Sequence, residues 1–227
     1  MVAVLIEPIQ GEGGINVARL EYLRGLAGIC DRNEWLFIAD EIQCGLGRSG
    51  KWFVYQHAGV TPDVVPLAKG LAGGVPVGAC VVGRRAKGVF KPGNHGSTFG
   101  GNPLAMTGVV TTLDAMHEQG LLANAAKVGH VIRDGLVAEL AGVAGVKEIR
   151  GMGLMIGVEL DRPCTELVRM GLARGLVFNV TAESVIRLLP ALVMTEAEGR
   201  QVVSILASLV REFLAGAEQT PAKMARA

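Results

Sequence analysis

The sequence has few aromatic residues, almost no net charge and no long apolar run, and each of these shortages excludes a class of protein. Aromatic residues make up 4% of the 227 positions, and the formal net charge is +1. A nucleic-acid surface needs basic residues interleaved with aromatic ones, and the sequence has no such patch. No apolar run reaches the roughly 20 residues of a membrane-spanning helix. No basic segment precedes the first acidic residue, Glu7, so the expected location is the cytoplasm.

Cysteine pairs are also missing. The four cysteines, Cys30, Cys44, Cys80 and Cys164, are far apart in the sequence, and no histidine clusters with them. Disulfide frameworks and zinc sites both use closely spaced cysteines or mixed clusters of cysteine and histidine. The pattern therefore predicts buried or half-buried reduced thiols, no metal site, and no catalytic role for any of the four histidines.

Apolar residues and glycine are abundant: half of the residues are hydrophobic and 32 are glycine. This composition is typical of a tightly turned α/β protein. Four apolar runs with strand character alternate with helical stretches, of which residues 20–33 are the clearest; the runs are residues 2–7, 35–41, 63–68 and 78–83. Such alternation predicts a mostly parallel sheet with flanking helices. Residues 2–6 are predicted to form a fully buried strand, so an N-terminal portion is expected to precede them.

The second half of the chain has a different pattern. A long helix is predicted over 102–142 with a break near Gly120, followed by short strands and helices that resemble a small α+β domain. The last helix should begin with a capping box formed by Thr195 and Glu198. The predicted division is a large domain over 1–115, a connecting helical region over 116–144, a small C-terminal α+β domain over 145–217 and a flexible tail over 218–227.

Three polar residues, Glu7, Asp40 and Lys69, each follow an apolar run directly. In parallel sheets, ligands bind at the carboxyl ends of the strands. Asp40 continues the apolar register, so its carboxylate is predicted to point inward, where it needs a cationic partner. Glu41 should then point the other way, into solvent. A solvated turn at both acids is the alternative.

Lys69 lies in the stretch PLAKGLAGGVPVGA, which contains no other charged residue. A phosphate-binding P-loop has its glycines before the lysine, whereas here they follow it. A buried lysine with a lowered pKa is suited to forming a Schiff base with an aldehyde. A cofactor with an aldehyde and a ring nitrogen would use both Lys69 and Asp40. A surface lysine on a loop is the alternative.

Five motifs occur in order: EPIQGEGG, DEIQCGLGRSG, LAKGLAGGVPVGA, HGSTFGGNPLA and VIRLLPAL. Together they resemble the class III, fold-type I aminotransferases that depend on pyridoxal phosphate, from Val2 to about Leu214. The most similar branch acts on acetylornithine, ornithine or succinylornithine. The resemblance implies a mostly parallel large-domain sheet with flanking helices and a small C-terminal α+β domain. Cys44 stands where relatives commonly have threonine.

The resemblance also implies roles in cofactor binding. Lys69 would hold pyridoxal 5'-phosphate as a Schiff base and move a proton during catalysis. Asp40 would keep the ring nitrogen protonated, and Gln43 would lie near the phenolic oxygen. Thr98 would reach the phosphate in the neighbouring subunit, which implies a homodimer with shared sites.

Three further residues are implied in substrate binding. Ser97 would lie near the substrate, Arg187 would bind the α-carboxylate of glutamate or 2-oxoglutarate, and Glu12 would pair with Arg187 when the longer amino donor is bound. Each has a structural alternative. Ser97 and Thr98 suit a turn, Arg187 suits a surface ion pair, and Glu12 suits a solvated loop.

Two hypotheses of different kinds follow. In the first, the protein transfers an amino group from N-acetylornithine or a similar ω-amine to 2-oxoglutarate in arginine or lysine biosynthesis. Ornithine, succinylornithine, 4-aminobutyrate, diamines and β-amino acids stay open as substrates. In the second, the chain is an inert fragment that keeps only the family's dimer surface. The second hypothesis rests on the family's N-terminal phosphate-binding turn, stacking aromatic and substrate arginine, which have no match here.

Overall fold

The computed structural model describes residues 2–83 and 85–218. Its elements, in chain order, are β1 (Ala3–Ile6), β2 (Ile9–Gln10), β3 (Asn16–Val17), α1 (Leu20–Arg32), β4 (Leu36–Ala39), α2 (Tyr55–Ala58), β5 (Val64–Leu67), a 3-10 helix (Lys69–Ala72), β6 (Ala79–Val82), α3 (Pro103–Glu118), α4 (Leu121–Glu139), β7 (Val146–Met152), β8 (Met155–Leu160), α5 (Glu166–Ala173), β9 (Asn179–Thr181), β10 (Val185–Leu188) and α6 (Glu196–Glu218).

The first sheet has the strand order β1-β4-β5-β6. Strands β1, β4 and β5 are parallel, with Ile6 opposite Ala39 and Ile38 opposite Val64, whereas β6 runs antiparallel to β5. The carboxyl ends of three neighbouring strands therefore lie at one edge of the sheet. This arrangement confirms the predicted α/β class with a mostly parallel sheet.

Strand β1 lies at one edge of this sheet, where β4 is its only strand neighbour among the described residues. Its residues are half-buried or exposed, and the side chain of Leu5 is 63% exposed. The prediction of a fully buried strand over residues 2–6 is therefore wrong for the described structure. An apolar run indicates a strand but does not reveal how many neighbours the strand has.

The second sheet is antiparallel throughout, in the order β7-β8-β10-β9. Its β7–β8 hairpin turns at Gly153, whose φ of 55° lies in the left-handed region. One apolar cluster joins this sheet to three helices, and its fully buried side chains include Ile132 of α4, Leu167 of α5, Leu206 of α6 and Ile186 of β10. This packing positions β10, which carries Arg187.

The helical predictions hold in most details. The break near Gly120 separates α3 from α4, and Gly120 has a φ of 63°. The capping box is present, because the Thr195 amide donates to Glu198 Oε2 at 2.7 Å and the Glu198 amide donates to Thr195 Oγ1 at 3.2 Å. Helix α6 ends at Glu218, where the predicted flexible tail over 218–227 begins, and the rest of that tail lies outside the described residues, so it stays a prediction.

All four cysteines are free. Cys30, Cys44 and Cys164 are buried as predicted, but Cys80 on strand β6 is exposed. The prediction was wrong for Cys80 because β6 forms the other edge of the first sheet. In the described part of the chain, no helix is both long and apolar enough to cross a membrane.

Candidate active site

A cavity of about 480 Å³ opens at the carboxyl edge of the first sheet, within the size range of small-molecule sites. It lies where loops of the first sheet face helix α3 and strand β10. The lining residues that carry charge or an amide are Glu12, Gln43, Arg48, Lys69 and Arg187. Uncharged residues of the loop after β4, of α3 and of the segment after β10 form most of the remaining wall, including Ile42, Leu46, Thr111, Thr112, Met116, Leu189 and Leu192.

Lys69 lies just past β5 and begins the 3-10 helix. Its φ of 50° is unusual for a residue with a side chain, and Gly73 and Gly74 also have positive φ values, which form the predicted tight turn. Leu67 and Leu71 are buried on either side, but Lys69 itself is exposed at the cavity. The expectation of a buried lysine is therefore wrong, because the backbone turn carries its side chain out of the apolar register of the strand.

Asp40 and Glu41 are oriented opposite to the prediction. Glu41 is fully buried, whereas Asp40 is half-buried and accepts a hydrogen bond from the Ile42 amide at 3.0 Å. Strand β4 ends at Ala39, so alternation of side chains no longer applies to the two acids. Glu41 instead turns back and accepts hydrogen bonds from the Tyr55 amide at 3.0 Å and from the Cys44 thiol at 3.3 Å.

Burial of Glu41 raises the pKa of its carboxyl group, although the backbone amides of Val54 and Tyr55 partly oppose this rise. The side-chain hydrogen bonds of Glu41 all join it to the segment from Cys44 to Tyr55, at the start of α2, while its amide donates to the Pro66 carbonyl of β5 at 3.3 Å. Glu41 therefore organises the loop between β4 and α2, and Asp40 is the acid of the pair that remains accessible at the sheet edge.

Lys69 and Asp40 follow neighbouring parallel strands, β5 and β4. The pair thus presents an amine and a carboxylate at one sheet edge, which is the donor set that a cofactor with an aldehyde and a basic ring nitrogen requires. Lys69 and Gln43 line the cavity, whereas Asp40 lies at the sheet edge and is not among the residues that line it. The chemistry of these side chains and the size of the cavity fit pyridoxal phosphate.

Arg187 and Glu12 form an ion pair at the other side of the cavity. Arg187 Nη1 lies 2.6 Å from Glu12 Oε1 and 3.3 Å from Gln43 Oε1, and Arg187 Nε donates to Asn179 Oδ1 at 3.0 Å. The hydrogen bond from Arg187 lowers the pKa of the Glu12 carboxyl group. The residues that the resemblance placed at the substrate carboxylate are thus adjacent in space.

Arg48 was not singled out from the sequence. Its Nη1 donates to the backbone oxygens of Leu154, at 3.3 Å, and of Pro190. Burial lowers its pKa to about 10. An arginine in a glycine-rich loop gives no sequence signal of partners more than a hundred residues away. Arg48 therefore ties the loop after β4 to the segment that follows Arg187.

Ser97 and Thr98 do not join this cavity. Both are exposed, and Ser97 Oγ accepts from the Gly100 amide at 3.0 Å within its own turn. Ser97 instead lines a separate depression with Phe99 and residues of the turn that follows the 3-10 helix. Among the described residues, no group of three or more histidine, cysteine or acidic side chains could hold a metal ion.

Comparisons with known proteins give one consistent result. The family model described as aminotransferase class-III matches residues 1–210. The acetylornithine aminotransferase of Nitrosomonas europaea is 53% identical over 214 residues, which cover 94% of this chain and 54% of that protein. The chain therefore spans about half the length of the curated relatives it matches.

Solved structures agree. An ornithine aminotransferase from Plasmodium yoelii superposes with a TM-score of 0.89 at 36% identity, over 94% of this chain and 57% of that one. An ornithine aminotransferase from Toxoplasma gondii, described with partial occupancy of PLP at its active site, gives 0.88 at 39% identity, over 96% and 51% of the two chains.

Proposed function

Because this chain belongs to the class III aminotransferase family, we propose that it takes part in transamination that depends on pyridoxal phosphate. The proposed amino donor is N-acetylornithine or a similar ω-amine, and the acceptor is 2-oxoglutarate. The observation that carries the proposal is the single cavity that holds the Lys69 amine and the Glu12–Arg187 pair. Acetylornithine as donor, and thus arginine biosynthesis, is favoured because the curated relatives are acetylornithine aminotransferases.

The chain's own residues would divide the work around the cofactor. When bound, pyridoxal phosphate supplies an aldehyde that captures amines and a ring that withdraws electrons. Lys69 would hold it through its amine and later carry a proton at the substrate Cα. Asp40 would hold a proton at the ring nitrogen, and Gln43 would orient the phenolic oxygen. The exposure of Lys69 supports this role, because its amine is free to meet a ligand in the cavity.

Arg187 would bind the α-carboxylate of 2-oxoglutarate or glutamate through its planar guanidinium. In the structure, this guanidinium already donates a hydrogen bond to the Glu12 carboxylate. A ligand carboxylate would have to displace Glu12, whereas an ω-amine without a carboxylate at this position would leave the pair intact. One cavity could then accept two substrates of different charge.

We further propose a homodimer in the cytoplasm. Ser97 and Thr98 lie outside the Lys69 cavity, and the neighbouring Phe99 is 81% exposed. Their exposure supports a role for Thr98 at the cofactor phosphate of a second subunit, with Ser97 near the substrate. The four free cysteines support a reducing compartment.

The proposal is tested by covalent labelling, which identifies the lysine that binds the cofactor. The 227-residue chain is mixed with pyridoxal phosphate, reduced with borohydride and digested, and the modified lysine is located by mass spectrometry. We expect the mark on Lys69 and its suppression by N-acetylornithine added before reduction. Lys51→Ala serves as the control, since Lys51 lies on an exposed loop and donates to the Gln56 carbonyl.

Equal marking of Lys69, Lys51 and the exposed Lys147 of β7 would show only adventitious reaction with surface amines and would favour the inert-fragment hypothesis. If Lys69 is marked, glutamate formation from 2-oxoglutarate is then measured with N-acetylornithine, ornithine, succinylornithine and 4-aminobutyrate. The amine with the highest kcat/KM identifies the donor. Lys69→Ala should abolish both the mark and the turnover.

A further inference from the structure

The loop that carries Glu12 has a strained backbone. Between β2 and β3, Gly14 has a φ of 106° and Ile15 a φ of 56°. Isoleucine is β-branched and rarely adopts positive φ, and Ile15 is also fully buried. Such a conformation persists only where the surrounding structure determines it, and it often marks a functional position. The contacts that hold this loop therefore bear on the placement of Glu12.

Arg150 supplies the first contact. Its Nη2 donates to the Gly14 carbonyl at 2.5 Å, and its Nε donates to the Gly14 and Ile15 carbonyls at 3.1 and 3.2 Å. Its Nη1 pairs with Glu148 at 2.8 Å and with Glu159 at 2.5 Å. The two carboxylates fix the guanidinium on one side, so its other side presents a rigid fork to the strained loop.

Thr181 supplies the second contact. Its hydroxyl donates to the backbone carbonyl of Glu12 itself, and the residue is buried. Thr181 lies on β9, Arg150 on β7 and Arg187 on β10, so all three belong to the second sheet. Asn179 of β9 pairs directly with Arg187 in the register and also bonds to its side chain.

We propose that Arg150 and Thr181 are positioning residues that hold the loop of Glu12 onto the sheet that carries Arg187. Thr181 holds this loop at Glu12 itself and Arg150 holds it at Gly14 and Ile15, and the two residues together are called the clamp. This inference rests on the proposed function, in which Glu12 and a substrate carboxylate compete for Arg187. Although Glu12 lies between strands of the N-terminal part, the second sheet then sets the position of its backbone. Gln43, in the loop after β4, contacts both side chains, with Nε2 3.4 Å from Glu12 Oε1 and Oε1 3.3 Å from Arg187 Nη1. Lys69, which follows a strand of the other sheet, does not take part in this alignment.

The consequence is a specific defect when the clamp is weakened. A loosened loop lets Glu12 leave Arg187 more often, so Arg187 becomes more available to dicarboxylates. Simple destabilisation of the fold would instead weaken binding of every ligand. A gain in dicarboxylate affinity therefore separates a positioning role from a general structural role.

The test uses two variants of the clamp and two controls. Thr181→Val is isosteric and removes the hydroxyl that holds the Glu12 carbonyl. Arg150→Lys keeps the charge beside Glu159 but cannot span both carbonyls. Thr107→Val removes an exposed hydroxyl bonded to the Pro103 carbonyl, and Arg211→Lys alters an exposed arginine bonded to Glu139. Thr181→Val decides the test if Arg150→Lys does not fold.

The first readout is the pKa of the Glu12 carboxyl group, measured by NMR titration of the 227-residue chain without cofactor. We expect this pKa to rise toward its ordinary value in the folded clamp variants and to stay unchanged in both controls. The second readout is the dissociation constant of glutarate, a dicarboxylate that cannot react. It should fall by about threefold or more in the clamp variants, in the range of coupling energies between contacting groups.

A Glu12 pKa that is the same in wild type, Thr181→Val and any folded Arg150→Lys protein overturns the proposal. The Glu12→Gln variant distinguishes failure of the clamp proposal from failure of the proposed function. If Glu12→Gln does not strengthen glutarate binding, competition at Arg187 is wrong and the proposed function loses its support. The clamp is then judged from the Glu12 titration alone.

Discussion

Arg187 Nη1 and Glu12 Oε1 lie 2.6 Å apart although 175 positions separate the two residues in the chain. The arginine side chain is 10% exposed and the glutamate side chain is 68% exposed. An exposed partner in an ion pair contributes little to stability, because water and salt screen the attraction. Glu12 can therefore leave Arg187 at small cost, whereas Arg187 stays in place through Asn179 and Gln43. This asymmetry is what a site that exchanges one carboxylate for another requires.

The buried Glu41 should make stability depend on pH. Its pKa is raised by burial above the ordinary value of 4.5, so the folded protein binds a proton more tightly than the unfolded chain. This contribution is fully present below about pH 4.5 and is lost as pH rises through the pKa of the folded state. The slope of the unfolding free energy there is at most about 1.4 kcal/mol per pH unit.

Urea unfolding of wild type and Glu41→Gln over a pH series measures this contribution. The stability of wild type relative to the variant should fall as pH increases above the ordinary pKa of glutamate. Glu118→Gln, at an exposed position of α3, serves as the control. A difference between wild type and Glu41→Gln that does not change with pH would show that Glu41 titrates alike in both states.

The four thiols should differ sharply in reactivity. Cys80 is exposed, whereas burial raises the pKa values of Cys30, Cys44 and Cys164, that of Cys164 to about 11. Relative to the ordinary value of 9.0, Cys164 has about a hundredfold less thiolate at neutral pH. Iodoacetamide should modify Cys80 alone in the native protein and all four thiols in concentrated urea. Rapid modification of any second thiol without urea would contradict the buried positions.

Arg48 should contribute to stability through its two carbonyl partners. Hydrogen bonds to charged groups contribute about 1.5–3 kcal/mol, and Arg48→Met leaves the Leu154 and Pro190 carbonyls without this donor. We expect a loss of about 2–3 kcal/mol in the unfolding free energy of Arg48→Met and a smaller loss in Arg48→Lys. Urea denaturation measures both.

Arg169→Met is the matched control for Arg48→Met. Arg169 is 78% exposed and pairs with Glu166 on the same helix. Its removal should change stability by no more than about 0.5 kcal/mol. Equal losses at positions 48 and 169 would mean that the link from Arg48 to the segment after β10 does not stabilise the fold.

Most of the fold could be predicted from the sequence because its signals are local. The apolar runs that became β4, β5 and β6 are each bounded by polar or glycine residues, and the capping box at Thr195 depends on residues three positions apart. The burial of β1 could not be predicted, since it depends on neighbouring strands. The β2–β3 hairpin was also missed, because two strands of two residues each carry too little periodicity.

The candidate site was likewise predictable only in part. Lys69 and Asp40 stand out because each follows an apolar run, and the ordered motifs indicated Glu12 and Arg187. The orientation of Asp40 and Glu41 was reversed because strand alternation ends at Ala39. The functional roles of these residues stay predictions.

Arg48, Arg150 and Thr181 could not be found from the sequence. Each donates to backbone carbonyls more than a hundred positions away, and a carbonyl carries no sequence signature. Side chains whose partners are backbone carbonyls of distant segments can therefore be identified only in the folded structure.

The last prediction concerns two glycines that lie inside helices but differ in their surroundings. A Cβ at Gly129 of α4 would stand 2.2 Å from the carbonyl oxygen of Gly153, in the β7–β8 turn, and backbone cannot move aside cheaply. Gly129→Ala should therefore destabilise the protein by about 3 kcal/mol. A Cβ at Gly25 of α1 meets nothing within 4 Å. Gly25→Ala should instead stabilise it by about 0.5–1 kcal/mol, because alanine restricts the unfolded chain more than glycine does.

Thermal and urea unfolding of the two variants compare the same chemical change in the same type of element. Opposite signs would establish that α4 approaches the β7–β8 turn at backbone contact. The same turn bonds to the loop after β4, because the Leu154 amide donates to the Arg48 carbonyl at 2.9 Å. Effects of the same sign and similar size would contradict the backbone contact of α4. The packing of α4 on the turn would then not fix the position of the sheet that carries Arg187.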